Sequence, residues 1–371
     1  MSETGSTPSR YNSESVTSSE RLEPISPETA VNLYLRDRKN ELRESSIRQH
    51  ESALRFFCKW CSQTGIENLN ELTGRKLNRY RIWRRDEASN KVNSLATETW
   101  CSQLKILRLF IIFCESIDAV DVALHEKIRI PSLNNGGQSS DAIIEPEVAA
   151  DICSYLRKYE YASLEHVIWT ILTETGIRTG TLRSLDVDDY FPDAEISHLR
   201  IRNREETGTP LKNGDAGDRL VAIGSDCCGV IDDYLETTRL EEEDEYGRQP
   251  MLTAGFGRLS KSTIRRYVYK WTRPCAIGKG CPHDRDPETC EGTEHGKQSK
   301  CPSSEAAHAL RRGYITHELK SGVTRSFVSQ RCDVTEDVIE QHYDERDEKD
   351  KLRVRYQGMT GSRDNKRRYG S

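Results

Sequence analysis

His308 and Arg311 stand three residues apart in Ala307-His308-Ala309-Leu310-Arg311-Arg312-Gly313, a spacing that places both side chains on one face of a helix. The pairs Leu310/Tyr314 and Ile315/Leu319, each four apart, carry the helical period. An imidazole and a guanidinium then point at the same place. Gly322 follows where a helix would stop, and Asp333 with Glu336 three residues on reads as a box opening another helix, which carries Val334, Val338 and Ile339 and ends at His342-Tyr343. An Arg holds a phosphate through two parallel hydrogen bonds, a His moves a proton near neutral pH, and a Tyr oxygen attacks phosphorus. Each feature met alone is more often packing than chemistry. Their order along the chain is what points to a phosphoryl-transfer site.

Upstream, an apolar helix through Leu164, Val167, Ile168, Ile171 and Leu172 is expected to end at Thr175-Gly176, followed by Ile177-Arg178 and a new helix start. An Arg at the mouth of a helix adds its fork to free backbone N–H groups, which suits a phosphate. His198 to Ile201 and Arg219 to Ile223 alternate like two strands, with Lys212-Asn213-Gly214 between them. Gly257-Arg258-Leu259-Ser260 and Thr263-Ile264-Arg265-Arg266 then read as the opening of a basic helix.

The Thr175-Gly176-Ile177-Arg178 box, the His308-x-x-Arg311 pair and Tyr343 together resemble the tyrosine recombinases, the phage-integrase and Xer-like family. The resemblance spans roughly residues 26 to 360, with specific motifs in the C-terminal half and only architecture in the N-terminal half. It implies a mainly α protein: a helical core-binding (SAM-like) domain followed by an α+β catalytic domain with a small β-hairpin sheet. It implies that Tyr343 attacks a DNA phosphodiester and forms a 3′-phosphotyrosyl link. Arg178 and Arg311 would stabilise the charged phosphorus, His308 would assist proton removal, and Lys212 would protonate the leaving 5′ oxygen. Double-stranded DNA is the implied partner, a homotetramer on DNA the implied assembly, and no cofactor or metal is needed for catalysis. Two places depart from the family pattern in this half: the loop bearing Lys212 is long, and Val334 stands where the family has a His. Arg331 is the nearest polar candidate to replace it.

A third departure is an insertion at 275–301 that carries Cys275, Cys281, Cys290 and Cys301 with His283 and His295. Four thiols punctuated by Gly, Pro and Asp cannot build an apolar core. The expectation is one structural zinc on the four Cys, with either His as a substitute ligand.

The remaining chain frames these residues. Residues 1–25 read as a disordered Ser/Thr-rich tail, 26–130 as the helical DNA-clamping domain, 131–144 as a linker, 145–360 as the catalytic domain and 361–371 as a basic tail. In the first domain, Ser26-Pro27 opens a helix, and further helices carry Leu54 and Phe57, Leu77 and Tyr80, and Leu104 and Ile111. The run Arg79 to Arg85 interleaves basic and aromatic residues, which suits either a DNA backbone or a solvated face. Cys58-x-x-Cys61 reads as core.

At 371 residues the chain can bury two cores, and it has neither a membrane-length apolar run nor an export leader, so a cytoplasmic protein without small-molecule substrate is expected. Its net charge of −5 is unlike a strongly basic nucleic-acid binder. Yet 38 of its 55 basic residues are Arg and acids abound, a pattern resembling proteins of salt-loving organisms and so a haloarchaeal member of the family. Two rival readings stay open: a type IB topoisomerase-like enzyme, and a non-enzymatic, zinc-dependent DNA-binding regulator.

Overall fold

The computed structural model describes residues 22–88, 94–131 and 142–343, with Lys349, Leu352 and Tyr356 beyond them. Most of the expected tails and of the linker therefore lies outside the described residues. The chain divides into two compact units, Met1–Ser139 and Ser140–Ser371.

In the first unit, Ser26 accepts a hydrogen bond from the Thr29 amide and caps α1 (Pro27–Arg38). Gly65, left-handed at φ 69°, stops α2 (Glu44–Thr64). With α3 (Gly74–Asp86) and α4 (Thr97–Ser116) these helices bury Tyr34, Leu54, Phe57, Tyr80, Leu104 and Phe110. Phe57 meets the edges of Tyr80 and Phe110 with ring centroids 5.4 and 5.7 Å apart. Cys61 is fully buried in this core. Part of the basic run is also consumed here: Arg84 is buried over the Phe56 ring, while Arg81 and Arg85 lie over Trp100.

The second unit begins with α5 (Pro146–Tyr159), α6 (Leu164–Thr175) and the short α7 (Thr179–Ser184). A three-stranded antiparallel sheet follows, in order β1 (Tyr190–Phe191), β2 (His198–Ile201), β3 (Arg219–Ala222). Leu199 pairs with Val221 and both are buried, which fixes the register of β2 on β3. Next come α8 (Ser225–Asp233), continued as a π turn through Tyr234–Thr238, then the hairpin β4 (Thr253–Ala254) and β5 (Gly257–Arg258), and α9 (Lys261–Trp271). Finally α10 (Ala307–Lys320), α11 (Arg325–Cys332) and α12 (Glu336–His342) close the described part of the unit. The fold is thus mainly α with small antiparallel sheets. Among the described residues no helix is long and apolar enough to cross a membrane.

Two local expectations change. Gly257-Arg258 forms β5 and not the start of a helix, because Ser260 is the residue whose side chain caps α9. Asp333 does not open α12. It closes α11 in the left-handed conformation, and Thr335 supplies the cap, accepting from the Val338 amide.

Candidate active site

Helix α6 ends at Gly176, which is left-handed at φ 60°, and a Cβ there would overlap the ring of Tyr314. Only Gly fits this turn, which aims Ile177 into the core and leaves Arg178 at the start of α7. Helix α10 comes close because Gly313 lets its backbone lie against the Ile144 carbonyl, and the Ile144 amide donates to the Ala309 carbonyl at 3.2 Å. The two glycines, one at a turn and one inside α10, bring Arg178 and the His308–Arg311 face together.

Arg311 is 4% exposed, and its Nη1 donates to the Gly176 carbonyl at 2.9 Å. Its Nη2 is buried with no partner among the described residues. A buried guanidinium that leaves one arm unsatisfied is costly unless an anion completes it.

Tyr343 follows the last turn of α12. Its amide donates to the Ile339 carbonyl at 2.9 Å and its carbonyl accepts from Thr316 Oγ1 at 3.1 Å. It belongs to one buried apolar cluster with Ile315, Leu319, Val328, Cys332, Val334 and Ile339, while Tyr343 Oη lies 3.5 Å from His308 Nε2. The nucleophile candidate is thus held by backbone and ring, with its oxygen turned to the imidazole.

The charge around Tyr343 is strongly positive. The His308 pKa is lowered first by partial burial and then by Arg311, Arg312, Lys212 and Arg178. Burial is also the main cause lowering the pKa of Arg178, with Arg311 adding to it. Lys212 is exposed on the loop between β2 and β3, within electrostatic reach of His308. All five expected side chains therefore belong to one neighbourhood of the second unit.

Two further residues, Arg219 and Asp333, join it without having been given a role there by the motifs. Arg219, at the start of β3, donates to the Arg331 and Gly217 carbonyls, and its Nη2 is buried with no partner among the described residues. Its pKa is brought down to about 10, chiefly by burial, with Arg311 and Arg178 also lowering it. Asp333 accepts from Arg178 Nη1 at 2.6 Å and from Asn213 Nδ2 at 2.7 Å. The only sequence signal for Arg219 was a charge at an alternating strand position beside Ile201.

Arg331 does not serve as the replacement for the missing His. Its guanidinium donates to Tyr314 Oη and to the Ala222 and Glu174 carbonyls at 2.7, 2.9 and 2.9 Å, tying α11 to α10, β3 and α6. None of these bonds reaches Arg178, His308 or Tyr343. Val334 is buried in the apolar cluster with Tyr343.

Of the four thiols expected to hold zinc, Cys281 and Cys301 lie within electrostatic reach of Cys275. Among the described residues no group of three or more His, Cys, Asp or Glu is placed to hold a metal ion. Cys301 is buried against Gly292, while His283 Nε2 lies 2.7 Å from Ser303 Oγ and His295 Nε2 lies 3.0 Å from Arg266 Nη1. Protein contacts also join this region to the residues that follow α9. Arg273 Nη1 donates to the Gly292 carbonyl at 2.7 Å, and the Glu305 amide donates to Thr272 Oγ1 at 2.8 Å just before α10.

No family model and no curated protein matches the sequence. Solved structures do match. The Tn1549 transposon integrase in complex with a circular intermediate DNA is 11% identical with a TM-score of 0.62, covering 90% of this chain and 99% of that one. A lambda integrase dimer bound to a COC′ core site is 13% identical with a TM-score of 0.57, over 88% of this chain and 79% of that one. The XerH site-specific recombinase bound to its palindromic difH substrate is 13% identical with a TM-score of 0.56, over 80% and 75%. These neighbours are tyrosine recombinases and integrases, and the chain has their fold.

Proposed function

We propose that this protein is a site-specific DNA recombinase that breaks and rejoins DNA through a 3′-phosphotyrosyl intermediate on Tyr343. The observation that carries the reading is the placement of Tyr343 Oη 3.5 Å from His308 Nε2, beside an Arg311 with one buried arm that has no partner among the described residues. A phosphodiester is the anion that would complete Arg311, and the Tyr oxygen is the group that would attack it in line. In this reading Tyr343 Oη bonds to phosphorus, its proton passes to His308, and the bond from phosphorus to the 5′ oxygen breaks. Lys212 gives that oxygen a proton. Arg178 and Arg311 carry the extra negative charge of the five-coordinate phosphorus. The phosphotyrosyl bond retains the energy of the broken link, so the free 5′ hydroxyl of a partner strand reverses the step with neither ATP nor a catalytic metal.

The DNA-bound state of the structural neighbours supports DNA as partner, and a homotetramer on paired sites is the assembly that strand exchange requires. The test uses a library of nicked duplexes with a randomised core, incubated with the full-length protein. Wild type forms an SDS-stable adduct whose DNA, once sequenced, reveals a preferred core, and Tyr343→Phe forms none. An undiminished adduct in Tyr343→Phe removes the nucleophile, and an adduct without sequence preference favours a type IB topoisomerase-like enzyme.

A further inference from the structure

We infer that Asp333 is a positioning residue of this site, one carboxylate that ties Arg178 to the loop bearing Lys212 through Asn213. The inference rests on the reading given under Proposed function. The two bonds, 2.6 Å from Arg178 Nη1 and 2.7 Å from Asn213 Nδ2, use the two different carboxylate oxygens and join elements 155 and 120 residues away in sequence. The bond to Asp333 is the only hydrogen bond the Arg178 guanidinium makes among the described residues, which leaves Nε and Nη2 of its fork for a phosphate. Asp333 also raises the Arg219 pKa, so one acid counterbalances two of the guanidinium groups gathered here. Its side chain is 10% exposed, and its backbone is left-handed at φ 54° and ψ 61°. An L-residue holds that conformation at a cost, and such strain persists where the surroundings fix it. Here they fix a carboxylate between the phosphate-binding arm and the residue next to the proton donor.

The competing interpretation of the same contact is a carboxylate seated where the phosphate belongs, to be expelled by DNA. The two differ in sign. A positioning carboxylate slows cleavage when removed, and a competitor speeds it.

The experiment measures single-turnover adduct formation against DNA concentration for wild type, Asp333→Asn, Asp333→Gly and Asn213→Ala, on the nicked duplex recovered from the library. Asn tolerates and Gly prefers a left-handed backbone, so both variants keep the fold, which thermal melting checks. At saturating DNA the rate falls about 100-fold in both, as expected when a phosphate-holding group is misplaced by about 1 Å. The half-saturating DNA concentration changes by less than about threefold, since phosphate contacts elsewhere dominate affinity.

Asn213→Ala, on an exposed loop, cuts only the arm to Lys212. It slows cleavage by about tenfold, the worth of one hydrogen bond, and a bridging 5′ sulfur, which needs no acid, removes that defect. Rates equal to or above wild type in the Asp333 variants, or a defect confined to half-saturation, overturn the inference. A 5′ sulfur that leaves the Asn213→Ala defect unchanged overturns the Lys212 arm. Absence of any adduct in wild type would instead overturn the recombinase reading itself, so the two failures are distinct.

Discussion

In the proposed reaction, proton removal from Tyr343 is given to His308, because its Nε2 faces Oη at 3.5 Å and its pKa lies below the ordinary 6.5. Partial burial is the first cause of that lowering and four nearby cations add to it. A base with a lowered pKa stays neutral, and able to accept a proton, further into acid. The active form is fully present above the lowered pKa and is lost only as pH falls through it. The acid limb of the pH profile for adduct formation, read as kcat/KM, therefore lies below 6.5. A limb at or above 6.5, or one that survives His308→Ala, contradicts this role. Arg311→Ala should slow cleavage by about 100- to 1,000-fold, the usual cost of one donor to a developing anion. Arg311→Lys should recover little of it, since Lys keeps the charge without the fork. Full recovery in the Lys variant would show that charge alone suffices.

The elements make this chemistry possible through tight turns, and Gly176 is the sharpest case. Gly176→Ala forces a Cβ into the Tyr314 ring at a backbone angle that L-residues resist, and it disturbs the carbonyl that anchors Arg311. The expected loss is more than about 1 kcal/mol, seen as a fall in Tm of several degrees together with weaker cleavage. An unchanged Tm would contradict the turn argument. Helix α6 with its stop at Gly176, the β2–β3 pair and the His308–Arg311 face of α10 were legible in the sequence, because period and glycine stops are local signals. Asp333 was not. Its spacing to Glu336 satisfies the local rule for a helix opening, whereas its real partners, Arg178 and Asn213, are distant in the chain. Arg219 was hidden for the same reason, as strand alternation tells which face a charge takes and not what waits there. In the insertion, thiol spacing suggested a metal, whereas the contacts of Arg273 and Cys301 with Gly292 carry no local signal in the sequence.

At the scale of the molecule, the main cores of the two units are separate. Tyr34, Phe57 and Phe110 belong to one and Trp169, Leu199 and Ile264 to the other, with no residue shared. All five expected catalytic side chains lie in the second unit, Ser140–Ser371. A chain cleaved at an engineered protease site between Ser139 and Ser140 should give a C-terminal fragment that melts cooperatively and still forms the Tyr343-dependent adduct, at higher DNA concentrations. A fragment that fails to melt cooperatively would show that the second core depends on the first. The central claim concerns one covalent bond, and the most direct measurement is to identify it. After adduct formation on a nicked duplex, nuclease and protease digestion followed by peptide mass spectrometry should find a nucleotide remnant, linked through a 3′ phosphate, on the peptide containing Tyr343. A remnant on any other residue, or a 5′ linkage, would contradict the account.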